Sequence, residues 1–260
     1  MRPGATAVPE VLLLRRTDRV AFMAGAHVFP GGRVDDADRA AVIAAAFLQQ
    51  PPRFSDLSVH EELPFRVAAV RELHEEAGLV VDVDALHPIA HWVTPAIEIR
   101  RFDTRFYLAV VPEGQRAVED MGEITAHAWL TPGEALERAQ AGEIQLPPPT
   151  WTTLRQIEQR GGLPEVLAWA QAKPIVRVSP ALLDPLPTGE RVLALPGDPA
   201  VPMVEGWDVP PETRFVMREG QGWLPVRPQA EGARPPRGRL AAVRQAAVSS
   251  WRSGRERPGR

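Results

Sequence analysis

The chain has 260 residues, which allows one large domain or two small ones with a substantial buried core. Its composition, with 44% hydrophobic and 24% charged residues and a pI near 6.1, is that of an ordinary soluble protein. No apolar run approaches the roughly eighteen residues of a membrane span, and the first apolar run is too short for a signal peptide. The absence of cysteine excludes disulfides and thiolate metal sites, so we expect a cytoplasmic protein with no membrane partner.

Charge is distributed unevenly along the chain. The segment 229–260 contains eight arginines against Glu231 and Glu256, whereas the remainder of the chain is acidic. This composition predicts a basic, disordered tail. An acidic remainder argues against specific nucleic-acid binding, and a homodimer is left open.

The first elements are marked by simple local signals. The apolar run at 11–14 predicts a strand, because it ends in two arginines. The stretch "HVFPGG" at 27–32 predicts a short strand that runs into a sharp turn. An alanine-rich helix is predicted at 37–50, where two prolines stop it.

The next helical region carries recognisable start and stop signals. Ser58 and Glu61 have the spacing of a capping box, which predicts the start of a helical segment. Pro64 is expected to reset the backbone. A second, glutamate-rich helix then runs to Ala77, and Gly78 is its predicted C-terminal stop.

The rest of the chain alternates irregularly between strand and helix patterns. Thr131 and Glu134 form a second capping-box signal at the start of a helix. Short strands are expected within the proline-rich region 175–228. Further strands are predicted at 79–83, 89–94, 104–112 and 127–130, and further helices at 147–160 and 164–172. This order of elements predicts an α+β fold with a mixed sheet.

The glutamate-rich helix places its carboxylates where they destabilise it. A helical wheel sets Glu72, Glu75 and Glu76 on the arc opposite a predicted buried stripe of Val67, Val70, Leu73 and Ala77. Like charges at this spacing repel by roughly 0.2–0.5 kcal/mol per pair. Negative charge at a helix C-terminus also opposes the macrodipole. Either this is an ordinary solvated face, or a divalent cation compensates the cost, and the second reading is favoured.

The stretch "RELHEEAGL" at 71–79 matches every fixed position in the second half of the Nudix box, R-E-U-x-E-E-x-G-U with U aliphatic. The chain therefore resembles the Nudix hydrolase superfamily. The first half of the box is altered: Asp38 stands where the box has its first glutamate, and about twenty-five residues separate the two halves beyond the usual spacing. The resemblance implies an α/β/α Nudix sandwich with a mixed sheet and a helical insertion at about 39–64.

The altered half resembles one branch of that superfamily. The stretches "FMAGAHVFPGGRVDDAD", "HWVTPAIEIRRFDTRFYLAVVP" and "LPGDP" are similar to the branch of peroxisomal coenzyme A diphosphatases and their bacterial relatives. The resemblance implies three parts. They are a Nudix hydrolase domain at 1–160, an accessory C-terminal region packed on it at 161–228, and the basic tail at 229–260.

The resemblance also implies roles for the box residues. Glu72, Glu75 and Glu76 would hold Mg²⁺ or Mn²⁺, with the carbonyl oxygen of Gly32 as an added ligand. Arg71 would orient the glutamates through charge-assisted contacts. The structural box positions would be Gly31, where the backbone approaches metal or phosphate closely, Asp38 and Gly78.

The expected site also needs a base for the attacking water and contacts to the substrate. One of the box glutamates, or Glu123 in the loop before 127–130, would take a proton from the attacking water. Substrate contacts are predicted for the arginines near the strand ends, with exposed surface charge as the alternative reading. These arginines are Arg15, Arg16, Arg101 and Arg105.

The predicted activity is divalent-metal-dependent hydrolysis of a diphosphate linkage in a nucleoside-diphosphate derivative. The resemblance favours coenzyme A or acyl-coenzyme A as the substrate, with 3′,5′-ADP and (acyl)phosphopantetheine as products. ADP-ribose, NADH or a nucleotide sugar is the alternative substrate class. A Nudix-fold binding module without catalysis is the second alternative, and it would be expected to lose box glutamates.

Overall fold

The structure is a computed structural model that describes residues 1–18, 23–44, 54, 56–95, 97–98, 101–118 and 124–228. For 41–44 the helix backbone alone is described. The predicted tail at 229–260 and the C-terminal part of the alanine-rich helix lie outside the described residues, as does Glu123. Within the described part, no helix combines the length and apolarity that a membrane crossing requires.

The described residues form five α-helices and ten strands. The helices are α1 (Asp36–Ala44), α2 (Val59–Ala77), α3 (Pro132–Gln140), α4 (Pro148–Glu158) and α5 (Leu163–Ala172), with a 3₁₀ turn at Val83–Ala85. The first six strands are β1 (Val11–Arg16), β2 (His27–Val28), β3 (His87–Val93), β4 (Asp103–Leu108), β5 (Ile124–Leu130) and β6 (Arg177–Val178). The last four are β7 (Ala181–Leu183), β8 (Val192–Ala194), β9 (Arg214–Arg218) and β10 (Gly222–Val226). The mixed α+β class is confirmed.

The strands form three small sheets. Their orders are β2-β1-β5, β4-β3-β6 and β10-β9-β8-β7. All pairings are antiparallel except that of β3 with β6, which is parallel. The predicted mixed sheet is therefore present as the β4-β3-β6 unit.

Strand β1 is apolar on both faces because it lies between two hydrophobic clusters. Val11 and Leu13 belong to the larger cluster, and Leu12 and Leu14 belong to the second. Helices α3, α4 and α5 contribute to the larger cluster, whereas the C-terminal end of α2 packs on the second. The continuous run of four apolar residues is what a strand buried on both faces requires.

The larger cluster crosses the domain boundary expected at residue 160. It combines Leu13 and Trp151 with Val166 and Phe215, all of which are fully buried. The segment after 160 thus packs on the first part of the chain, while the proposed three-part division stays a prediction.

Two sequence-based expectations about α2 are wrong. The helix is continuous from Val59 to Ala77 with Pro64 inside it, although Pro64 was expected to reset the backbone. The predicted buried stripe is also incomplete, because Val67 is half-buried on the outer face, whereas Ala68 is buried. The capping box of Ser58 with Glu61 and the left-handed stop at Gly78 are both present.

The strand expected at 79–83 does not form. Leu79 and Val81 are buried and Val80 is exposed, so the alternation is that of a strand. The amide side chain of Gln115, rather than a neighbouring strand, accepts from the Val80 N–H at 2.7 Å and donates to its carbonyl at 2.8 Å. The chain then enters the 3₁₀ turn instead of a ladder.

Candidate active site

The Pro-Gly-Gly turn after β2 meets the C-terminal end of α2. The backbone N–H of Gly31 donates to a carboxylate oxygen of Glu76 at 2.8 Å. Gly32 lies against Glu72 so closely that a Cβ there would stand 2.2 Å from the Glu72 Oε1 atom. The turn therefore brings two of the three box carboxylates together with its own backbone.

Arg71 connects four parts of this arrangement. Its Nε and Nη2 atoms donate to the two carboxylate oxygens of Asp38 at 2.9 and 3.0 Å. Its Nη1 atom donates to Glu72 at 2.9 Å and to Glu75 at 2.8 Å. Nη2 also donates to the backbone carbonyl of Arg33 at 2.9 Å. One guanidinium thus fixes α1, the glycine turn and two box glutamates relative to one another.

Asp38 is held from both sides. The N–H of Asp35 donates to the Asp38 carboxylate at 2.9 Å, and the N–H of Asp38 donates to the Asp35 carboxylate at 2.9 Å. This reciprocal pair is a capping box made of two aspartates at the start of α1. The Arg71 hydrogen bonds, with help from Asp35, hold the pKa of Asp38 below its ordinary value. Asp38 is therefore an anion at neutral pH, with its side chain 1% exposed.

The three box glutamates occupy different environments. Glu76 is buried, Glu72 is mostly buried, and the side chain of Glu75 is 55% exposed. Burial raises the pKa of Glu72, an effect that the neighbouring Arg71 opposes. Among the described residues, no three acidic or histidine side chains converge as a ready-made metal ligand set.

The donor chemistry nevertheless fits a divalent cation. Hard divalent cations prefer carboxylate and carbonyl oxygens, which is what the turn and the end of α2 offer. The Glu72 carboxylate fills the space beside Gly32, so a Cβ at this position would displace it. Three of the predicted ligands lie at the turn, namely Glu72, Glu76 and the carbonyl of Gly32. The fourth, Glu75, accepts a hydrogen bond from Arg71.

The helix end that carries these glutamates is closed by Gly78. Its φ angle of 65° is left-handed, and its N–H donates to the carbonyl of His74 at 2.8 Å. A left-handed residue is most easily supplied by glycine. The last box position thus fixes where α2 ends and the chain turns toward Leu79.

The predicted substrate arginines are not brought together in one place. Arg15 and Arg16 end β1, and Arg15 pairs with His27 of β2, the strand that leads to the glycine turn. Arg15 also donates to Asp18 at 3.0 Å and to Thr125 at 3.1 Å. Arg16 is half-buried, and its Nε has no hydrogen-bond partner among the described residues. Both positions are compatible with a role near the turn.

The other two arginines lie on or near β4. Arg101 is exposed in the segment before that strand. Arg105 is 3% exposed, donates to Asp56 at 2.6 Å and also bonds to Asp103. Its guanidinium lies over the ring of Phe65, 4.6 Å from the centroid. Arg105 thus has structural partners for its charge, and the substrate contact predicted for it stays a prediction.

Sequence reasoning missed two features of the site. Asp35 supports Asp38, and the D-x-x-D spacing at 35–38 is the signal that could have revealed the reciprocal cap. An apolar depression of about 330 Å³ also opens on the outer face of α2 beside Arg71. Its lining consists of Val67, Val70, Arg71, His74, Val80 and Val83.

The fold is similar to that of a Nudix hydrolase, and the glycine turn meets the glutamates that the box motif singles out. Comparison with known proteins agrees: residues 79–157 match the family described as the NUDT19 Nudix domain. A crystal structure of a NUDIX hydrolase from Alicyclobacillus acidocaldarius superposes with a TM-score of 0.57 at 25% identity. It covers 64% of this chain and 91% of the bacterial one.

Curated relatives point to one branch. The chain is 28% identical over 242 residues to the human acyl-coenzyme A diphosphatase NUDT19, covering 64% of each protein. It is 28% identical over 184 residues to putative nudix hydrolase 7 of Caenorhabditis elegans, covering 57% of this chain and 56% of that protein. The chain thus spans less than two thirds of the length of these relatives. It resembles Nudix hydrolases, and among them the NUDT19 branch.

Proposed function

We propose that the protein hydrolyses the diphosphate linkage of a nucleoside-diphosphate derivative with the help of a divalent cation. The observation that carries this proposal is the position of Glu72 and Glu76 against Gly32 and Gly31. Two carboxylates on a helix end and the backbone of a sharp turn then share one small space. A divalent cation requires oxygen ligands. A diphosphate requires N–H donors or cations close to its oxygens.

In this proposal, Glu72, Glu75, Glu76 and the carbonyl of Gly32 would hold Mg²⁺ or Mn²⁺. When bound, the cation would neutralise phosphate oxygens and make a water molecule more acidic. The protein supplies the geometry: Arg71 orients Glu72 and Glu75, and Asp38 holds Arg71 in place. This charge-assisted arrangement fixes the carboxylates before substrate arrives.

Proton transfer from the attacking water needs a carboxylate near the turn. One of the box glutamates is a candidate for this role, because a carboxylate held within hydrogen-bond reach of the water can take its proton. Glu123 is the other candidate from the sequence, and it lies outside the described residues.

The leading substrate is coenzyme A or acyl-coenzyme A. This assignment is supported by the acyl-coenzyme A diphosphatase relatives from human, Xenopus laevis and Gallus gallus, at 26–28% identity. In the reaction, the oxygen of water forms a bond to one phosphorus, and the bond from that phosphorus to the bridging oxygen breaks. The products are 3′,5′-ADP and (acyl)phosphopantetheine. Arg15 and Arg16, at the strand next to the turn, are proposed to contact the substrate phosphates.

The test is a hydrolysis screen with purified protein. Coenzyme A, an acyl-coenzyme A, NADH, ADP-ribose and a sugar nucleotide are each incubated with Mg²⁺ or Mn²⁺, and products are identified by mass spectrometry. The proposal expects 3′,5′-ADP from coenzyme A or its acyl derivative. Preference for a substrate without a coenzyme A moiety would reject the substrate assignment and retain the reaction class.

A matched pair of variants tests whether the site is catalytic at all. Glu72→Gln removes a charge at the turn, whereas Glu137→Gln removes an exposed charge on α3. We expect the first to abolish most turnover and the second to leave it unchanged. Equal turnover in both variants would show that catalysis does not depend on Glu72, and absence of turnover in the parent protein would favour a binding module that uses the Nudix fold without catalysis.

A further inference from the structure

A second buried charge pair lies on α2, outside the box. Glu62 and Arg66 are both 0% exposed, and the Arg66 Nε donates to Glu62 at 2.6 Å. Burying two charges removes their hydration, and a buried ion pair is often no more stable than well-packed apolar residues of similar size. Such a pair is best explained by the geometry that it imposes.

The pair spans the weak point of the helix. Pro64 lies between its two members, and proline has no N–H to donate to the carbonyl of His60 one turn earlier. A proline inside a helix leaves the two flanking halves freer to bend and to rotate relative to each other. The Glu62–Arg66 contact bridges this position from the buried side.

Arg66 also ties α2 to its surroundings. Its Nη1 donates to the carbonyl of Leu86 at 2.7 Å, and the carbonyl of Val83 lies 3.5 Å away. The guanidinium lies over the ring of Tyr107 on β4, 5.5 Å from the centroid. Its Nη2 has no hydrogen-bond partner among the described residues. One N–H donor of Arg66 is thus left unsatisfied, while the rest of the side chain fixes the helix against the turn before β3 and against β4.

We propose that the Glu62–Arg66 pair is a positioning element that sets the rotation of α2, and so places Glu72 and Glu76 at the glycine turn. A helix has a radius of about 5–6 Å including side chains, so a rotation of roughly 10° moves a carboxylate by about 1 Å. A shift of that size in a catalytic constellation can lower turnover by about a hundredfold. Neither residue touches the site, and the pair acts only through the helix.

The experiment compares two double variants in the full chain. Glu62→Leu/Arg66→Met removes both members of the pair and leaves no orphaned charge. The control, Asp198→Leu/Arg214→Met, removes a buried pair of the C-terminal region, where Arg214 donates to Asp198 at 2.8 and 2.6 Å. Thermal unfolding, Mn²⁺ affinity from a titration of free Mn²⁺, and kcat and KM for coenzyme A are measured for each.

We expect the Glu62→Leu/Arg66→Met protein to fold, to bind Mn²⁺ more weakly and to lose about tenfold to a hundredfold in kcat, with little change in KM. The control should retain parental Mn²⁺ affinity and kcat whatever its melting temperature. Parental Mn²⁺ affinity and kcat in the α2 variant would overturn the inference, as would equal losses in both variants.

A single variant covers the case in which the double variant does not fold. Arg66→Lys keeps a positive charge beside Glu62, but one amine cannot replace the guanidinium fork that also reaches Leu86. We expect weaker Mn²⁺ binding and a kcat below that of the parent, and an unchanged Arg66→Lys protein would overturn the inference. The turnover measurements rest on the proposed function. If the parent hydrolyses none of the diphosphates, that proposal fails, while Mn²⁺ affinity still decides the positioning role.

Discussion

The contact between Asp38 and Arg71 gives the sharpest test of how the site is held. Asp38→Asn keeps the size of the side chain but replaces one carboxylate oxygen with an NH₂ group. That carboxylate accepts two hydrogen bonds from Arg71 and one from the N–H of Asp35. The NH₂ group of an asparagine would therefore face at least one of these N–H donors. Only the single side-chain carbonyl oxygen could still accept a hydrogen bond.

The magnitude follows from what Arg71 loses and what it keeps. Removing one partner of a buried ion pair costs about 3–5 kcal/mol. Arg71 is 25% exposed, however, and it retains Glu72, Glu75 and the Arg33 carbonyl. We therefore expect a loss of about 1–3 kcal/mol in the free energy of unfolding, in the range of hydrogen bonds to charged groups. For a chain of this size, the melting temperature should fall by about 2–12 °C.

The assay is thermal unfolding as a function of pH, with Asp36→Asn as the control. Asp36 is an exposed acid in the same first turn of α1, so its variant reproduces the loss of charge near the helix N-terminus. The pKa of Asp38 is lowered in the folded state. Its contribution to the free energy of unfolding is therefore complete at pH values above its pKa in the unfolded chain, about 3.9. The contribution is lost as the pH falls through the folded value.

The difference in melting temperature between the parent and Asp38→Asn should therefore be constant near neutral pH and shrink in acid. Two results would refute this reasoning. One is an equal loss of stability in Asp36→Asn, and the other is a difference that does not change between neutral and acidic pH. Either would mean that the Arg71 contact contributes little.

Three further variants test neighbouring features. Gly32→Ala should fold normally, because the added Cβ meets only the far end of the Glu72 side chain. It should lower kcat by about 10–100-fold as that carboxylate moves. Loss of folding would contradict this prediction. Glu75→Gln should reduce kcat less than Glu72→Gln, since the Glu75 side chain is 55% exposed and turned toward Arg71, and steady-state kinetics with Mn²⁺ checks the order. Gln115→Ala should lower the free energy of unfolding by about 1 kcal/mol through loss of both hydrogen bonds to Val80, with unchanged kcat; a normal melting temperature would show that the loop does not need this amide.

Local signals in the sequence predicted the elements that depend on their own chemistry. The capping boxes at Ser58 and Thr131 both start helices, and Gly78 ends α2 in the left-handed conformation. The four apolar residues of β1 predicted a buried strand correctly. For the two capping boxes and Gly78, the determining contacts lie within a few residues of the signal.

The failures occurred where distant residues decide the local structure. Pro64 lies within α2 beside the buried Glu62–Arg66 pair, and Arg66 also donates to the carbonyl of Leu86, 20 residues further along the chain. The strand pattern at 79–83 finds no neighbouring strand, since Gln115, 35 residues away, occupies the position of a partner. Such long-range compensation cannot be read from periodicity.

The site itself was predictable mainly through the box motif. The physical argument from repulsion identified the glutamates, but it could not show that Asp38, 33 residues before Arg71, would supply that arginine's main partner. The resemblance to Nudix proteins placed Asp38 at the position of the first box glutamate but left its pairing with Arg71 open. The arginines had no motif of their own, and Arg105 illustrates the difficulty, because its charge is already matched by Asp56 and Asp103.

The structure also changes the electrostatic argument for a cation. Arg71 and the N–H of Gly31 offset part of the repulsion among the glutamates, so an unfavourable helix end does not by itself require a metal. One guanidinium nevertheless serves three carboxylates, those of Asp38, Glu72 and Glu75. The excess negative charge lies near the turn, where Gly32 leaves space for the Glu72 carboxylate. A divalent cation at that turn would balance the excess and account for a glycine and a buried glutamate that stability alone does not favour.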